Sequence, residues 1–569
     1  YLFIIVAELL AIKIRSNRNI QGININGSDQ KILQFADDTC LTILFDQDSL
    51  NSVIQTFDYF ENFAGLRINY DKTDILRLGS LRNSDAKFYT QRPLNWTNDP
   101  LLILGIRVAQ CAVDLIEVNF PELLVKIENV AKIWNSRNLT LYGKVLISKS
   151  LLLSQLIYKL SILPMPGADF LKQVNIIVSR FIWSGKPPRI SKDILKLPLE
   201  KGGLKALDIE KQRLGLKIAW VKRLLNGDNN LANFAQGIVP HIDGLIWKCN
   251  LHSKDVKKLV IMNNSIWVDI LHCWCEYNYT EPNTPEEILS QVLWYNSNIR
   301  INNLPFLNKN LMDIGIVYVR DLVDNYGTFS TPENVDGNLV MAYNSIIGAV
   351  PQKWKKILQD TPHVNINNMG TNTSYKIDQI MNHKGKIPRF IYGKIIESLA
   401  VDMGRKSKWE RDMHIPIEQE KWFSFFVSLY SSTPYNKLRI FQYKLLQRIL
   451  VTNIDRYNWG ITSSNVCDFC GIEPETYVHI FIECRFTKIL WTKFMHWLRR
   501  VSCLNLNISP EEIIFGINVQ NNVDRLVNSL LLIMKQYIYS SKCMQITPNL
   551  NQLYKRCYKQ MLVEKEIAF

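Results

Sequence analysis

The chain has 569 residues, which is too long for a single hydrophobic core, so roughly three or four domains are expected. Hydrophobic residues make up 47% of it, a share that excludes an intrinsically disordered chain. The formal net charge of +15 favours a polyanionic partner, first of all nucleic acid, although a merely basic soluble protein has the same balance.

The chain opens with an apolar segment, YLFIIVAELLAIKIR, at residues 1–15. No basic residue precedes the apolar run and Glu8 interrupts it, so the run lacks the form of a signal peptide. It is also too short to cross a membrane, and we expect no membrane partner. The segment therefore predicts a buried helix. Because the chain begins with Tyr1 rather than Met, we expect it to be part of a larger protein.

Two adjacent aspartates lie at the turn of a predicted hairpin. The stretch KILQFADDTCLTILF, residues 31–45, predicts two buried strands that meet at Asp37 and Asp38, and Asn26 with Gly27 predicts an earlier hairpin. Adjacent carboxylates repel each other, and their burial is costly unless a cation neutralises them. Mg²⁺ prefers such oxygen ligands, and two of these ions promote phosphoryl transfer between nucleotides. The alternative is a surface turn with two solvated aspartates, which are common turn residues.

A helix and further strands complete this N-terminal layer. Apolar residues at helical spacing between residues 50 and 63 predict a helix, which Gly65 is placed to end. The stretches LRIN, DILRLG and LLILGIRV then predict strands. We therefore expect residues 1–112 to form a layer of α+β structure.

The rest of the chain carries mainly helical signals. Amphipathic patterns cover residues 113–226, whereas residues 227–420 are mostly helical but less regular, without a repeat period, and have no assigned role. Helical patterns return in residues 421–500 together with a Cys/His cluster, and a basic tail occupies residues 501–569. The expected fold class is α+β, in which a small mixed layer precedes mostly helical regions and a small zinc module.

Four residues of the Cys/His cluster have the spacing of a metal site. Eleven cysteines are scattered along the chain without a disulfide framework, which indicates a reducing compartment. The cluster reads Cys467-x2-Cys470-x8-His479-x4-Cys484. Such a set closes a tetrahedron around Zn²⁺ and leaves no open position, so it predicts a structural site rather than a catalytic one. The alternative is three buried thiols and an unrelated histidine.

Basic and aromatic residues alternate in the helix predicted after the cluster. Basic side chains attract phosphates, while aromatic rings either stack on unpaired bases or fill a core. We favour nucleic-acid contact for the charges and the core for the rings. The basic positions are Arg485, Lys488, Lys493, Arg499 and Arg500, and the aromatic ones are Phe486, Trp491, Phe494 and Trp497.

Two other segments carry weaker signals. HCWC at residues 272–275 suggests a second metal site, but it lacks matching partners nearby, so we favour a buried segment. Lys186 and Arg189 in SGKPPRI are candidates for contact with a nucleic-acid backbone, and a surface turn explains them equally well.

Several motifs follow one another in a recognisable order. FADD, FENFAGLRINYDKTDIL and LLILGI come first, and WNSRNLTLYGKVLISKSLLLSQLIY, FIWSGKPPRI and LPLEKGGLKALD come next. LWYNSNIRINNLPF, GAVPQKW and KLRIFQYKLLQRILVTN precede the Cys/His cluster. This order resembles LINE-type non-LTR retrotransposon reverse transcriptases over nearly the whole chain. The resemblance implies a catalytic hairpin, a following helix with its strand, a primer-grip strand, and then the family's thumb and zinc-binding C-terminal part.

The resemblance implies roles for residues of the FADD hairpin. Asp37 would be a ligand of catalytic Mg²⁺, and Asp38 would be the second carboxylate, ligating or supporting. Phe35 and Ala36 would shape the approach to the primer end. Lys72 would lie near the incoming triphosphate, where it assists the leaving group, although a surface lysine after a turn is an equally good interpretation.

The resemblance also assigns the larger regions. Residues 1–112 would be a partial polymerase palm, and residues 113–226 a thumb-like region. Leu104, Gly105 and Ile106 would form the primer-grip strand, for which an ordinary strand with a glycine bulge is the alternative.

The resemblance further implies what the complete enzyme requires. The family's palm has a third carboxylate on an earlier strand, and its fingers hold template and nucleotide; both would lie upstream of Tyr1. Asp29, in a polar turn, lacks the strand context to replace that carboxylate. We therefore expect no polymerase activity from this chain alone. The expected partners are element RNA as template, target DNA as primer, and the missing N-terminal fingers and palm segment. The expected setting is a nuclear and cytoplasmic ribonucleoprotein that is not secreted.

Three functions compete at this point. The first is the enzyme fragment just described, and the second is a non-catalytic protein, a decayed or reused copy that binds RNA through its thumb and zinc module. The third is a structural zinc protein without a nucleic-acid role, which the net charge makes less attractive. Salt-dependent RNA binding separates the second from the third, and complementation with a fingers and early-palm fragment separates the first from the second.

Overall fold

The computed structural model has a helix, two hairpins and a second helix at its N-terminus, as predicted. These elements are α1 (Leu2–Ser16), β1 (Ile23–Ile25), β2 (Ser28–Gln30), β3 (Ile32–Phe35), β4 (Asp38–Leu41) and α2 (Gln47–Ala64). Both hairpins are antiparallel and two-stranded. Asp46 begins α2 by accepting a hydrogen bond from the Ser49 N–H, and Gly65 ends it at φ 67°, where glycine is favoured.

The first helix and the FADD hairpin are buried on one face only. Leu10 and Ile14 of α1 form a buried cluster with Val53 of α2, and one face of the hairpin packs against it. Leu33 and Phe35 point away and are each 65% exposed. The prediction of buried strands is therefore wrong for this face, because a two-stranded ribbon covers only the side that meets the helices. The same holds for α1, whose outer face is exposed.

The strands that follow are short. They are β5 (Asp74–Leu76), parallel to β6 (Asn95–Thr97), and β7 (Leu101–Ile103), antiparallel to β8 (Ile106–Val108). Residues 66–69 form no strand, contrary to the prediction for LRIN, and a 3₁₀ turn at Tyr70–Lys72 follows them. LLILGIRV is two strands rather than one, because Leu104 (φ 48°) and Gly105 (φ 80°) make the two-residue turn between β7 and β8.

Helices form almost all of the remaining structure. Up to residue 225 they are α3 (Ala112–Asn119), α4 (Pro121–Asn135), α5 (Leu141–Ile147), α6 (Ser154–Ile162), α7 (Ala168–Trp183), α8 (Lys192–Lys196) and α9 (Ile209–Leu225). The middle of the chain has α10 (Asn229–Ile238), α11 (Ile242–Trp247), α12 (Ser253–Leu259), α13 (Ile266–Asn278), α14 (Pro285–Leu289), α15 (Lys309–Asp313), α16 (Gly337–Ala349), α17 (Gln352–Gln359), α18 (Asn372–Asn382) and α19 (Ile387–Glu397). The C-terminal part has α20 (Gly404–Met413), α21 (Gln419–Ser432), α22 (Asn436–Leu446), α23 (Asn453–Asn458), α24 (Arg485–Ser502), α25 (Pro510–Phe515), α26 (Asn522–Cys543) and α27 (Leu550–Ile567). The protein is thus mostly helical with a few small sheets.

The chain divides into two units. The structure describes residues 2–25, 27–91, 93–226, 229–239, 242–247, 249–259, 266–324, 328–330, 335, 337–360, 372–399, 401, 403–502 and 507–567. The first unit comprises Tyr1–Lys126, Gln155–Lys172 and Ile209–Lys394, and the second comprises Ile127–Ser154, Gln173–Asp208 and Ile395–Phe569. Asn26, one half of the predicted first turn, lies outside the described residues, and Gly27 beside it has φ 80°. Within the described ranges no single helix is long and apolar enough to cross a membrane, although one bent pair, Leu141–Leu152 with Ser154–Ile162, has the required length and composition.

The first unit contains the HCWC segment in α13. Cys273, Trp274 and Cys275 are buried there, so the prediction of a buried segment is confirmed. An Arg213 Nη1 atom lies 2.6 Å from Asp269 Oδ1 and 2.9 Å from Cys273 Sγ. Cys273 is therefore part of a buried ionic network with Arg213 and Asp269.

The second unit has an aromatic core. Trp409 is fully buried and donates its indole N–H to the Leu446 carbonyl at 2.9 Å. The Phe515 ring centroid lies 5.5 Å from that of Trp409 and 4.6 Å from that of Phe425, on which it stacks. Helices of this core carry the Cys/His segment, so its position is set by buried packing.

Candidate metal centre

The first two cysteines of the cluster lie on a tight turn. The Cys467 N–H donates to the Glu473 carbonyl, and the Gly471 N–H donates to the Cys467 carbonyl, both at 2.8 Å. Gly471 has φ 66°, a conformation that favours glycine directly after Cys470. These bonds fold the segment back on itself, and they orient both thiols toward one point.

The other two ligands come from a single π-helical turn, His479–Glu483. In this turn the Cys484 N–H donates to the His479 carbonyl at 2.8 Å, a bond between residues five apart. An α-helix would rotate two such residues to different faces, whereas the wider π turn brings them to the same side. His479 and Cys484, with four residues between them, therefore face the same metal position because the backbone has π rather than α geometry here.

The four ligand atoms have the separations that tetrahedral zinc requires. Cys467 Sγ lies 3.9 Å from Cys484 Sγ, and Cys470 Sγ lies 3.4 Å from His479 Nε2, with all four atoms within 4.8 Å of one another. Zinc bond lengths imply about 3.8 Å between two sulfurs and about 3.5 Å between sulfur and nitrogen. Three of the ligands are buried and Cys470 is half-buried. The donor set fits Zn²⁺ in a closed, structural site.

A carboxylate lies beside the histidine nitrogen that faces away from the metal position. Glu473 Oε2 lies 2.9 Å from His479 Nδ1, although the approach is bent and is not a hydrogen bond of normal geometry. A carboxylate at that nitrogen keeps the proton on Nδ1 and leaves Nε2 free to bind the metal. The sequence analysis missed this residue, for which the only signal was an acidic residue inside the ligand loop.

The two thiols of the turn differ in acidity. Burial raises the pKa of Cys467 to about 12, and the neighbouring thiols act in the same direction. Burial also opposes ionisation of Cys470, but backbone N–H groups of Glu473 and Ile472 and the His479 side chain outweigh it and lower the pKa to about 7. Cys470 is therefore the more acidic of the two thiols.

A buried ion pair anchors this segment to α26. Glu475 is fully buried, and its Oε1 atom lies 2.7 Å from Lys542 Nζ and accepts the Asn453 N–H at 2.8 Å. Burial raises the pKa of Glu475, and the Lys542 charge acts in the opposite direction. The Asn453 side chain also donates to the Val466 carbonyl at 2.8 Å. The sequence offered no signal for this pair, because its members are far apart along the chain.

A family described as "zinc-binding in reverse transcriptase" matches residues 406–491, which include all four ligands. The match supports a reverse transcriptase-related protein. It also agrees with structural Zn²⁺ as the ion of the Cys3His centre, because the matched family and the ligand geometry indicate the same metal.

Helix α24, which follows the centre, separates its aromatic and basic residues. Trp491 and Phe494 are buried, and the Trp491 indole N–H donates to the Phe481 carbonyl at 2.7 Å, so the core interpretation is confirmed for these two rings. Trp497 is half-buried and stacks on Tyr554, with centroids 5.1 Å apart. Phe486 and the basic positions of α24 are exposed. Nucleic-acid contact by those charges stays a prediction.

The residues predicted around the palm site lie at exposed turns. Asp37 follows Ala36 (φ 54°) in the turn of the hairpin, and Asp38 pairs with Phe35 across it. Both aspartates are exposed, as is Lys72 at the end of its 3₁₀ turn. Among the residues that the structure describes, the Cys/His centre is the one group of three or more His, Cys, Asp or Glu ligands with clustered ligand atoms, so no third such ligand joins the aspartates. Their catalytic role stays a prediction.

The remaining predicted positions have structural contacts. The Tyr158 hydroxyl donates to the Leu104 carbonyl at 2.9 Å, and a Cβ on Gly105 would lie 3.9 Å from the Tyr158 ring. This hydrogen bond stabilises the β7–β8 turn. Leu104 and Gly105 therefore form a turn instead of the predicted strand. Asp29, predicted to lie in a polar turn, lies instead in β2 and pairs with Lys31 at 3.3 Å; its exclusion from the catalytic set stays a prediction.

Proposed function

We propose that this chain is part of a LINE-type non-LTR retrotransposon reverse transcriptase. It would supply the second part of the palm, a thumb-like region and the zinc-binding C-terminal region. The observation that carries the proposal is the closed Cys3His centre inside the segment that matches the zinc-binding family of reverse transcriptases. The order FADD, LRIN and LLILGI along the first unit supports the palm assignment.

The proposed chemistry is two-metal phosphoryl transfer at the FADD turn. Asp37 and Asp38 would hold Mg²⁺, which activates the primer 3′-hydroxyl and stabilises the leaving pyrophosphate. Because the turn is exposed, a primer and template can reach both carboxylates. Two carboxylates are too few ligands for two ions, and no third His, Cys, Asp or Glu joins them in the described part of the chain. We therefore expect no primer extension by this chain alone.

The exposed apolar surface of the N-terminal elements supports an upstream palm segment as partner. Leu33 and Phe35 of the hairpin are exposed, and so are Leu2, Ile4 and Ile5 on α1. Covering apolar surface is worth roughly 25 cal/mol per Å², so side chains of this size favour a strand or helix that packs over them. In the proposed enzyme that covering element belongs to the fingers and early palm.

The proposal makes nucleic acid the substrate. Element RNA would be the template and target DNA the primer, in a ribonucleoprotein of nucleus and cytoplasm. The net charge of +15 and the exposed basic positions of α24 support a polyanionic partner. The phosphate backbone would supply most of the binding free energy, so binding would weaken with salt.

The test begins by sequencing the transcript immediately upstream of the Tyr1 codon. If that sequence is an open reading frame, the frame and the chain are expressed as one extended protein. DNA-primer extension on an RNA template is then measured with Mg²⁺. We expect no extension from the chain alone, extension from the extended protein, and loss of extension in Asp37→Asn. Asp48→Asn, an exposed aspartate on α2, is the matched control that should retain activity. Stop codons upstream, or extension insensitive to Asp37→Asn, would overturn the proposal.

A second candidate is a non-catalytic RNA-binding protein. The observation that favours it is the exposure of both aspartates without a third ligand among the described residues. In this case the extended protein would bind RNA in a salt-dependent way and would extend no primer under any condition. Binding with extension favours the polymerase, and binding alone favours this second candidate.

A further inference from the structure

An exposed tryptophan lies directly after α23 in the second unit. Trp459 is 52% exposed, yet the turn that carries it is ordered. The Gly460 N–H donates to the Tyr457 carbonyl and the Ile461 N–H donates to the Arg456 carbonyl, both at 2.9 Å. The indole is therefore held in solvent by a fixed backbone, so a flat partner can stack on it without first ordering the loop.

Two cations lie at this tryptophan. The Arg189 guanidinium lies 5.1 Å from the centroid of the Trp459 ring, and it donates to the Ile449 carbonyl at 2.9 Å. Arg405 donates to the Arg189 carbonyl at 3.2 Å. The indole and the two guanidinium groups thus form one surface.

Within the described part of the chain, no carboxylate neutralises the positive charges of this surface. Arg189 and Arg405 have no Asp or Glu within ion-pair distance there. Asp412 of the same unit is engaged by Arg448, and Asp455 caps the start of α23. Like charges that lie close together repel, so the surface is stabilised when an anion binds.

We propose that Trp459, Arg189 and Arg405 form a binding surface for single-stranded nucleic acid. A base stacks on the indole, and the cations hold the phosphates beside it. Stacking on the indole requires an unpaired base, because a base inside a duplex has no free face. This inference deepens the proposed function and rests on its nucleic-acid role. It also assigns a use to Arg189, for which the sequence analysis left a surface turn as the alternative.

The test measures binding of a fluorescein-labelled uridine oligonucleotide of about 16 nucleotides by anisotropy at several salt concentrations. Trp459→Ala should weaken binding about 5- to 100-fold without changing the salt slope, and Trp459→Phe should restore most of the loss. Arg189→Gln and Arg405→Gln should each lower the slope of log K against log salt by about 0.7. Arg189→Lys should keep the slope but lose affinity, because an ammonium lacks the planar face of a guanidinium.

The matched control is Lys421→Gln in the same unit. Lys421 already pairs with Glu511 at 2.7 Å, so its removal should leave the salt slope unchanged. Zinc content and circular dichroism verify that each variant is folded. A poly-glutamate peptide tests whether an acidic protein segment is the partner instead.

The possible results of these binding measurements distinguish a failure of this surface from a failure of the proposed function. Unchanged oligonucleotide affinity in both Trp459→Ala and Arg189→Gln would overturn this surface while leaving the proposed function intact. A wild-type chain that binds no oligonucleotide would overturn both. Tighter binding of the acidic peptide, lost in Trp459→Ala, would overturn the nucleic-acid partner in favour of a protein.

Discussion

The Cys/His centre of the second unit and the aspartate hairpin of the first both present anionic ligands at turns. At the centre, four ligand atoms lie within 4.8 Å of one another and three of the four residues are buried. At the hairpin, Asp37 and Asp38 are exposed, and no third such ligand joins them in the described ranges. The two regions both present candidate metal ligands at a turn, with different donor atoms, and they differ in whether the local chain completes the site.

The difference shows whether the ligands of a metal site come from one short segment or from distant elements of the chain. The zinc ligands all lie within residues 467–484, so two turns bring them together without help from distant strands. A pair of aspartates on a two-stranded ribbon needs ligands from other elements before it can fix an ion. A local site therefore assembles from a short segment, whereas a polymerase-type site depends on the surrounding sheet.

The largest effect is expected from breaking the centre itself. Cys484→Ala should abolish zinc binding and unfold the His479–Glu483 turn, because zinc contributes about 10–16 kcal/mol of apparent binding free energy in structural sites. Bound zinc per chain and hydrogen exchange across residues 467–491 provide the measurement. Cys543→Ala, an exposed free thiol on α26, should retain full zinc. Full zinc in Cys484→Ala would contradict a Cys3His site.

The next effect concerns the ion pair that anchors the centre. Lys542→Met should lower the free energy of unfolding by about 3–5 kcal/mol, because Glu475 would stay buried without a cationic partner. Urea unfolding followed by circular dichroism measures this loss. The double variant with Glu475→Gln should recover a large part of it. A loss below about 1 kcal/mol in the single variant would mean that the pair behaves like a surface pair.

A buried lysine on the same helix predicts a pH dependence of stability. Lys535 donates to the Gln442 side chain at 2.7 Å and to the Ile514 carbonyl at 3.0 Å, and burial lowers its pKa from 10.5 to about 7. Between these two values the unfolded chain binds more protons than the folded one. The free energy of unfolding should therefore rise with pH across this window, by at most about 1.4 kcal/mol per pH unit.

Lys535→Met isolates this contribution. The variant should show a smaller rise in stability with pH than wild type, because the contribution of this position is lost while other titratable groups remain. Urea unfolding at several pH values inside the window provides the comparison with wild type. Lys421→Met, an exposed lysine, should keep the wild-type slope. An unchanged slope in Lys535→Met would show that its proton is retained on folding.

The smallest effect is expected at the hairpin. Asp37→Asn and Asp38→Asn should each change the free energy of unfolding by less than about 0.5 kcal/mol, because both side chains are exposed. The urea midpoint of each variant, set beside that of Asp48→Asn, provides the measurement. A stabilisation well above this value would indicate that the two carboxylates repel each other strongly in the folded chain, and would weaken the contrast with the zinc centre.

The sequence was sufficient wherever the responsible interactions are local. The helix that Asp46 and Gly65 delimit, the FADD turn and the four zinc ligands all follow from residues close together in the chain. The prediction of one strand for LLILGIRV is wrong, because the continuous apolar run favours a strand and only Gly105 indicates the turn that Leu104 and Gly105 make. LRIN was misread as a strand because β-propensity competes with burial and pairing, which the segment does not obtain here.

By itself the sequence determined the elements and the zinc ligand set, because spacing along a turn or a helix decides which side chains share a face. Only the tertiary structure decided the partners that come from distant segments. Glu475 meets Lys542, and Arg189 stacks on Trp459, across separations that no local pattern records. The tertiary structure also decided that Phe35 is exposed, because burial depends on which elements cover a strand and not on the strand's own composition.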